Sequence, residues 1–387
     1  MPHAPEFSID PAAFAADPYP ILTRMRDEAP IAFVPELGAT LFTRRDDIFR
    51  EEKRIDVFSS SQPNGLLEQI MGANMMRKDG DAHMSERKAL FPALSPRTVR
   101  TTLAAAFEQL VSAHLDRLAP LGQCDLVTDF AMPVAADALR TMTGLMNMPT
   151  ARMDYCSQAM LDGCANYVGD AEVARKAFEA SASIDVLIDD RLKHLRSHPD
   201  LSIISVLDQA GVSRDAIAGT IKVIIGGGQN EPRDAIAGTA YALLTHPDQH
   251  AQILDGTASY AEAFTEYIRW ITPIGMTPRR VAQANTIDGI PFEPDQTVFF
   301  MFSSACRDEA YFPDGAQFNI ARDQAGAIPF GAGPHFCAGA AASRCLIAEY
   351  ALPLLFNRFK ELKICGDVPF KGWAFRGPLT LPVRWKT

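Results

Sequence analysis

A cysteine set in a glycine-rich, proline-stiffened run, FGAGPHFCAG over residues 330–339, is the position in this 387-residue chain best suited to hold a metal. Cys337 lies directly ahead of an alanine-rich segment of helical character. Its thiol would meet the positive end of a backbone dipole and unpaired amide N–H groups, and both favour the thiolate that binds iron. Gly331, Gly333 and Gly339 would let the backbone lie close to a large flat ligand. The competing reading of any single cysteine is a buried structural thiol packed as a small hydrophobe.

Three other groupings have chemical potential. Glu266 and Arg269, in EYIRW, are three residues apart and share one helix face, where a charge-assisted pair can form; standing alone, such a pair is an ordinary surface feature. His83 and Arg87 lie four apart in GDAHMSERKALFPALSP and also share a helix face. The run Gly226-Gly227-Gly228-Gln229-Asn230-Glu231-Pro232 places a carboxylate in a glycine-rich stretch, and Pro232 has no N–H for the Gly228 carbonyl to accept. A carboxylate in an apolar groove has its proton affinity raised by desolvation, which suits a proton donor near neutral pH.

The elements that must position these residues are mostly helical. Apolar residues recur at three- and four-residue intervals over 98–118, 131–146, 153–168, 171–196, 214–245 and 338–358. Strand signals are few and short: Ile31 to Val34 with Thr40 to Thr43, Thr286 to Phe292, Thr297 to Phe302, and Leu379 to Trp385. Ser213 is the N-cap of a helix running to Leu244, about 45 Å at ~1.5 Å per residue. The glycine run predicts a local distortion in one helix; the alternative is two helices joined by a glycine loop.

No Ser/Gly-rich linker, charge block or internal repeat divides the chain, which reads as one domain over 1–387. With 47% hydrophobic and 22% charged residues it can bury a core and enclose a ligand. A formal net charge of −10 provides no general basic field for nucleic acid or an anionic membrane, so an acidic partner must dock on a local basic patch. There is no signal-type N-terminus and no run of about 18 apolar residues, so the expectation is a soluble, cytoplasmic protein without a membrane anchor. The seven cysteines make no CxxC or zinc-type spacing; reduced thiols are expected, six of them packed as small hydrophobes.

The loop around Cys337 resembles the haem-binding signature of the cytochrome P450 family, and other motifs follow in that family's order from His83 to the C-terminal FRGP. The resemblance implies a mainly α fold with small β-sheets, triangular and prism-like, with a long central helix over a cysteine-ligated haem b. It implies that Cys337 is the iron ligand, with Phe330, Gly331 and Gly339 against the cofactor. Haem propionates would be held by His83, Arg87, Arg280 and His335, with Arg279 competing for the place of Arg280, which precedes a strand. Glu266, Arg269 and Arg322 would form a structural network.

The central helix departs from the family pattern. Asn230 and Glu231 stand where typical members carry an acid and a threonine. QNEP, with GWAFRGPLTLPVRW at the end, resembles a bacterial branch that includes aromatic O-demethylases. On this reading Glu231, Asn230 and the free carbonyl of Gly228 serve proton delivery to reduced dioxygen. The substrate-facing positions are Ile70, Met71, Met75, Ile224, Gly228, Ile274, Met276 and Phe375, which suit a small apolar, aromatic compound. The fifty residues after Cys337 hold no flavin or iron–sulfur module. A small acidic ferredoxin, or a flavodoxin, with its NAD(P)H reductase is implied, docking on Lys88, Arg97, Arg100 and Arg344 of a monomer. Two alternatives remain: a peroxide-using enzyme, with Arg233 near the groove for a carboxylate, and a non-catalytic haem sensor or binding protein.

Overall fold

The computed structural model describes residues 4–166 and 169–387. The chain divides into two compact units, each assembled from separated segments: one of residues up to Ser61 with Ala237–Cys337 and Ile364–Leu381, the other of Gln62–Ile236, Ala338–Lys363 and Pro382–Thr387.

The second unit is helical. Its main elements are α1 (Gly80–Leu94), α2 (Met132–Thr143), α3 (Thr150–Cys164), α4 (Ala171–Ser197) and α5 (Arg214–Thr245), of which the part up to Ile236 belongs here. The expected helix 153–168 therefore starts three residues early and ends at Cys164, and its last two positions lie outside the described residues. The Asp170 side chain accepts from the Glu172 and Val173 amides to open α4, and Ser213 Oγ accepts from Ala216 N to open α5 as its sequence predicts. Ile184, Ile188 and Leu192 of α4 pack with Met153, Cys156 and Met160 of α3 and with Ile221 and Ile225 of α5 in one buried cluster. Polar contacts fix the start of α5: Lys222 Nζ lies 2.8 Å from Asp185, and Arg214 bridges Asp185 and Asp189.

Two expected helices each contain a π-helical turn. The first is Val99–Leu103 ahead of Ala104–Leu118; the second is Cys345–Ala351 between Ala340–Arg344 and Leu352–Arg358. The closing strand shrinks to Pro382–Arg384, paired with Gln123–Asp125.

The first unit is organised by a five-stranded sheet of β1 (Ile31–Val34), β2 (Ala39–Phe42), β3 (Phe58–Ser59), β4 (Thr277–Val281) and β5 (Thr297–Phe300), in the order β1-β2-β5-β4-β3. Only β2 and β5 are parallel. Phe42, Phe58, Phe292 and Phe300 form a buried aromatic box on this sheet, with ring centroids 5.3–5.7 Å apart. The expected strand Thr286 to Phe292 is instead a tight hairpin, Asn285–Ile287 with Ile290–Phe292, and α6 (Tyr260–Trp270) opens on a capping box between Ser259 and Glu262.

None of the seven cysteines is in a disulfide, but Cys365 is exposed rather than packed, because it follows the short surface strand Lys363–Ile364. Among the described residues no helix is long and apolar enough to cross a membrane.

Candidate active site

The cysteine loop is held by its own turns and by one buried acid. Gly331 takes a φ of +84°, a conformation that favours glycine, and Phe336 N donates to Gly333 O at 3.0 Å. Cys337 N donates back to Phe330 O at 2.9 Å, which closes the loop and leaves the thiol half-buried two residues before Gly339, the N-cap of Ala340–Arg344.

Glu52, 2% exposed, braces this loop: its Oε2 accepts from the Ala332 amide at 2.6 Å, and its backbone runs against Gly333, where an added Cβ would stand 2.5 Å from the Glu52 carbonyl oxygen. Burial pushes the Glu52 carboxyl up, and Arg279 (3.4 Å), the loop amides and His335 pull it back. We expect Gly333→Ala to lower stability by ~1–3 kcal/mol in urea unfolding, because a backbone atom rather than a flexible side chain must yield.

In the same unit, Glu266 and Arg269 are fully buried and joined twice, Nε to Oε2 at 2.7 Å and Nη2 to Oε1 at 2.8 Å. The remaining Arg269 donors reach the carbonyls of Cys306 (2.8 Å), Gly315 (2.9 Å) and Gln317 (3.1 Å), and Glu266 accepts from Asn319 N at 2.9 Å. Arg322 stands 3.5 Å from Glu266 and bonds the Pro313 and Asp314 carbonyls. The three residues of the expected structural network are thus together.

The arginines of β4 differ from expectation. Arg280 does not precede the strand but is its fourth residue; its guanidinium contacts Asp295 (2.8 Å) and the Ser61 carbonyl (3.1 Å). Strand alternation turns Arg279 the other way, to the buried contact with Glu52. Ile274 is bridged to Phe375, which is 47% exposed, and Met276 packs against the cluster around Phe14 and Met301.

In the helical unit α5 runs unbroken through Pro232, so the single-helix reading holds. One side of it is open: Gly227 is exposed and a Cβ there would meet no atom within 4 Å, while Ile224, Gly228 and Glu231 on the same stripe are partly exposed. The stripe is bounded at Gly228, where an added Cβ would come within 2.7 Å of Leu139 Cδ2. Both carboxyl oxygens of Glu231 are buried without a hydrogen bond. Burial pushes this carboxyl up to about 8; Asp234 adds to the shift and Arg233 opposes it. Asn230 is buried, and its Oδ1 accepts from Arg233 Nη1 at 2.9 Å.

On α1, His83 is buried and Arg87 half-buried. Ile70, Met71 and Met75 belong to the buried cluster of this unit, and the Met71 methyl lies against Gly226. Lys88, Arg97, Arg100 and Arg344 are exposed, and among the described residues the first three make no ion pair. Sequence reasoning missed Glu52, which stands in the run Glu51-Glu52-Lys53 with no sign of its partner some 280 positions away. It also missed Asp234 and the buried Gln229, whose Nε2 donates to Met132 O and Asp154 Oδ1, both at 3.2 Å.

Residues 260–369 match the family model described as Cytochrome P450. The 6-deoxyerythronolide B hydroxylase of Saccharopolyspora erythraea is 28% identical over 99% of this chain and 99% of its own length. Cytochrome P450 130 of Mycobacterium tuberculosis is 27% identical over 98% of each. Among solved structures, that of CalO2 superposes with a TM-score of 0.87 at 22% identity, covering 98% of this chain and 99% of that one. The structure of P450BioI with a fatty-acid-ligated acyl carrier protein gives 0.86 at 20% identity, covering 97% and 100%. At these identities the structures establish the fold.

Proposed function

Since the chain belongs to the cytochrome P450 family and is a haem b monooxygenase, we propose that it inserts one oxygen atom of dioxygen into a C–H bond of a small apolar, aromatic substrate. The observation that carries this reading is the cysteine loop, whose half-buried thiol, glycine backbone and Glu52 brace fit a flat cofactor ligated through sulfur. A haem held by thiolate supplies the chemistry of O–O cleavage. Cys337 would be its ligand, Phe330, Gly331 and Gly339 its backing, and His83, Arg87, Arg280 and His335 the donors to its propionates.

Glu231 is the residue we assign to proton delivery. Its carboxyl holds a proton near neutrality, and no hydrogen bond fixes it elsewhere. Asn230 and the Gly228 carbonyl, which Pro232 cannot engage, would order the proton path. Ile70, Met71, Met75, Ile224, Ile274, Met276 and Phe375 are the proposed substrate contacts, all uncharged. If the carbon oxidised is a methoxy carbon, the hemiacetal formed collapses to a phenol and formaldehyde. The unpaired cations Lys88, Arg97 and Arg100, with Arg344, support an acidic ferredoxin or flavodoxin as electron donor, reduced by an NAD(P)H reductase. The peroxide-using alternative would draw on Arg233, whose Nε and Nη1 are bonded to Asp234 and Asn230.

A panel of guaiacol-like, alkylphenol, benzoate, terpene and fatty acid compounds, read by the high-spin shift of the Soret band and by NAD(P)H-driven product formation, tests the substrate class. Tight binding confined to fatty acids or terpenes would overturn the aromatic assignment.

For Glu231→Gln we expect product formed per electron consumed to fall by roughly tenfold, the low end of what general acid catalysis contributes; unchanged coupling would remove Glu231 from the proton path. The same variant changes stability with a definite sign. The folded state keeps the Glu231 proton from its ordinary 4.5 up to about 8, so wild-type stability falls through that window at up to roughly 1.4 kcal/mol per pH unit. Glu231→Gln lacks this contribution, and its melting temperature should gain on the wild type between those limits.

A further inference from the structure

We propose that Asp234 and Arg233 act as one positioning pair that governs when Glu231 carries its proton. Arg233 Nε lies 2.7 Å from Asp234 Oδ1, and Asp234 is 5% exposed. The same guanidinium holds Asn230 through Nη1, so one cation ties the residue before Glu231 to the residue three after it. On a helix, positions 231 and 234 are neighbours, with Cβ atoms about 5–6 Å apart. A fixed carboxylate at that range, in a poorly solvated setting, opposes a second negative charge on Glu231. Its counter-ion, Arg233, also bonds Asn230 through Nη1.

Other charged groups bear on this site less directly. From α3, the half-buried Asp154 reaches Gln229 and adds negative potential at Arg233. From α2 come Leu139, packed on Gly228, and the Met132 carbonyl, bonded to Gln229; its charged residues Asp137 and Arg140 are bonded to each other, with Asp137 also bound to His114 and Thr150. Within the helical unit, Asp234 is therefore the acid set closest along the helix to Glu231. Burial pushes the Asp234 carboxyl itself up, and the Arg233 guanidinium at 2.7 Å pulls it back.

The catalytic consequence rests on Glu231 as proton donor, but the protonation itself can be read separately. In the holoenzyme, the protonated-carboxyl infrared band of Glu231, identified by its loss in Glu231→Gln, is titrated against pH. Asp234→Asn removes the nearby negative charge and leaves the cation, so the midpoint should fall by ~1–2 pH units. The double variant Arg233→Gln/Asp234→Asn keeps a neutral hydrogen-bonded pair should the single one misfold, and its midpoint should fall by less. The alkaline limb of product formed per electron should move down in step. An unchanged midpoint in either folded variant overturns the proposal. A midpoint that moves while the coupling limb stays fixed sustains the pair's control of Glu231 and refutes its role as donor.

Discussion

Cys337→His should abolish oxygenation, by roughly 10³-fold or more, the scale seen when a group that the reaction depends on is removed. The ferrous carbonyl complex should at the same time lose the red-shifted Soret band of thiolate ligation and take the shorter-wavelength position of an imidazole ligand. The substitution is expected to leave the fold intact, because backbone ties hold the loop. Its ties are the Cys337 N to Phe330 O bond, the turn at Gly331 and the Glu52 carboxylate on Ala332, and none uses the side chain at 337. Haem should therefore still be incorporated, which separates loss of chemistry from loss of cofactor. Undiminished product formation by the variant would refute Cys337 as the ligand.

The largest effect on stability should come from Arg269→Ala. Its guanidinium satisfies a fully buried carboxylate with two bonds and three backbone carbonyls besides. Truncation strands a buried charge and leaves the carbonyls of Cys306, Gly315 and Gln317 without this donor. Removing one partner of a buried pair costs about 3–5 kcal/mol, a large share of the ~5–15 kcal/mol that holds a domain together. The expected outcome is poor recovery of folded protein and a lower denaturation midpoint. Arg269→Lys should fare little better, since an ammonium cannot reach five acceptors in the fork geometry. A control is Arg24→Ala, whose partner Glu28 is as exposed as Arg24 itself; it should cost under ~1 kcal/mol. Equal stability of Arg269→Ala and wild type would show that the network carries no load.

Much of the scaffold could be read from the chain because it is locally coded. The bounds of α5 follow from Ser213 and from apolar spacing that continues on both sides of Pro232, and β1 follows from four consecutive apolar residues. β4 was harder: Thr277–Val281 contains a proline and two arginines, so it has no alternation of apolar and polar residues, and the arginine chosen for the propionates was placed ahead of a strand it lies within. Which of Arg279 and Arg280 faces inward depends on register against β5 and β3, and register is a tertiary property. The short helices Arg45–Glu51 and Leu66–Met71 were missed because six or seven residues hold too few turns to show a period. Of the site, Cys337, Glu266 and Arg269 stood out through spacing. Glu52 and Asp234 did not, because an acid beside another charge looks solvated until its environment is known.

The open stretch of α5 bears on how such a chain can change its range of reactants. Glycine in a helix interior costs about 1 kcal/mol against alanine, and at position 227 an added Cβ would meet no atom of the described residues within 4 Å. Enlarging that one residue would stiffen the helix and narrow the space beside it in the same step. A lineage under selection for stricter molecular choice thus has at Gly227 a route that asks no sacrifice of foldedness, and one seeking breadth has reason to leave the position bare.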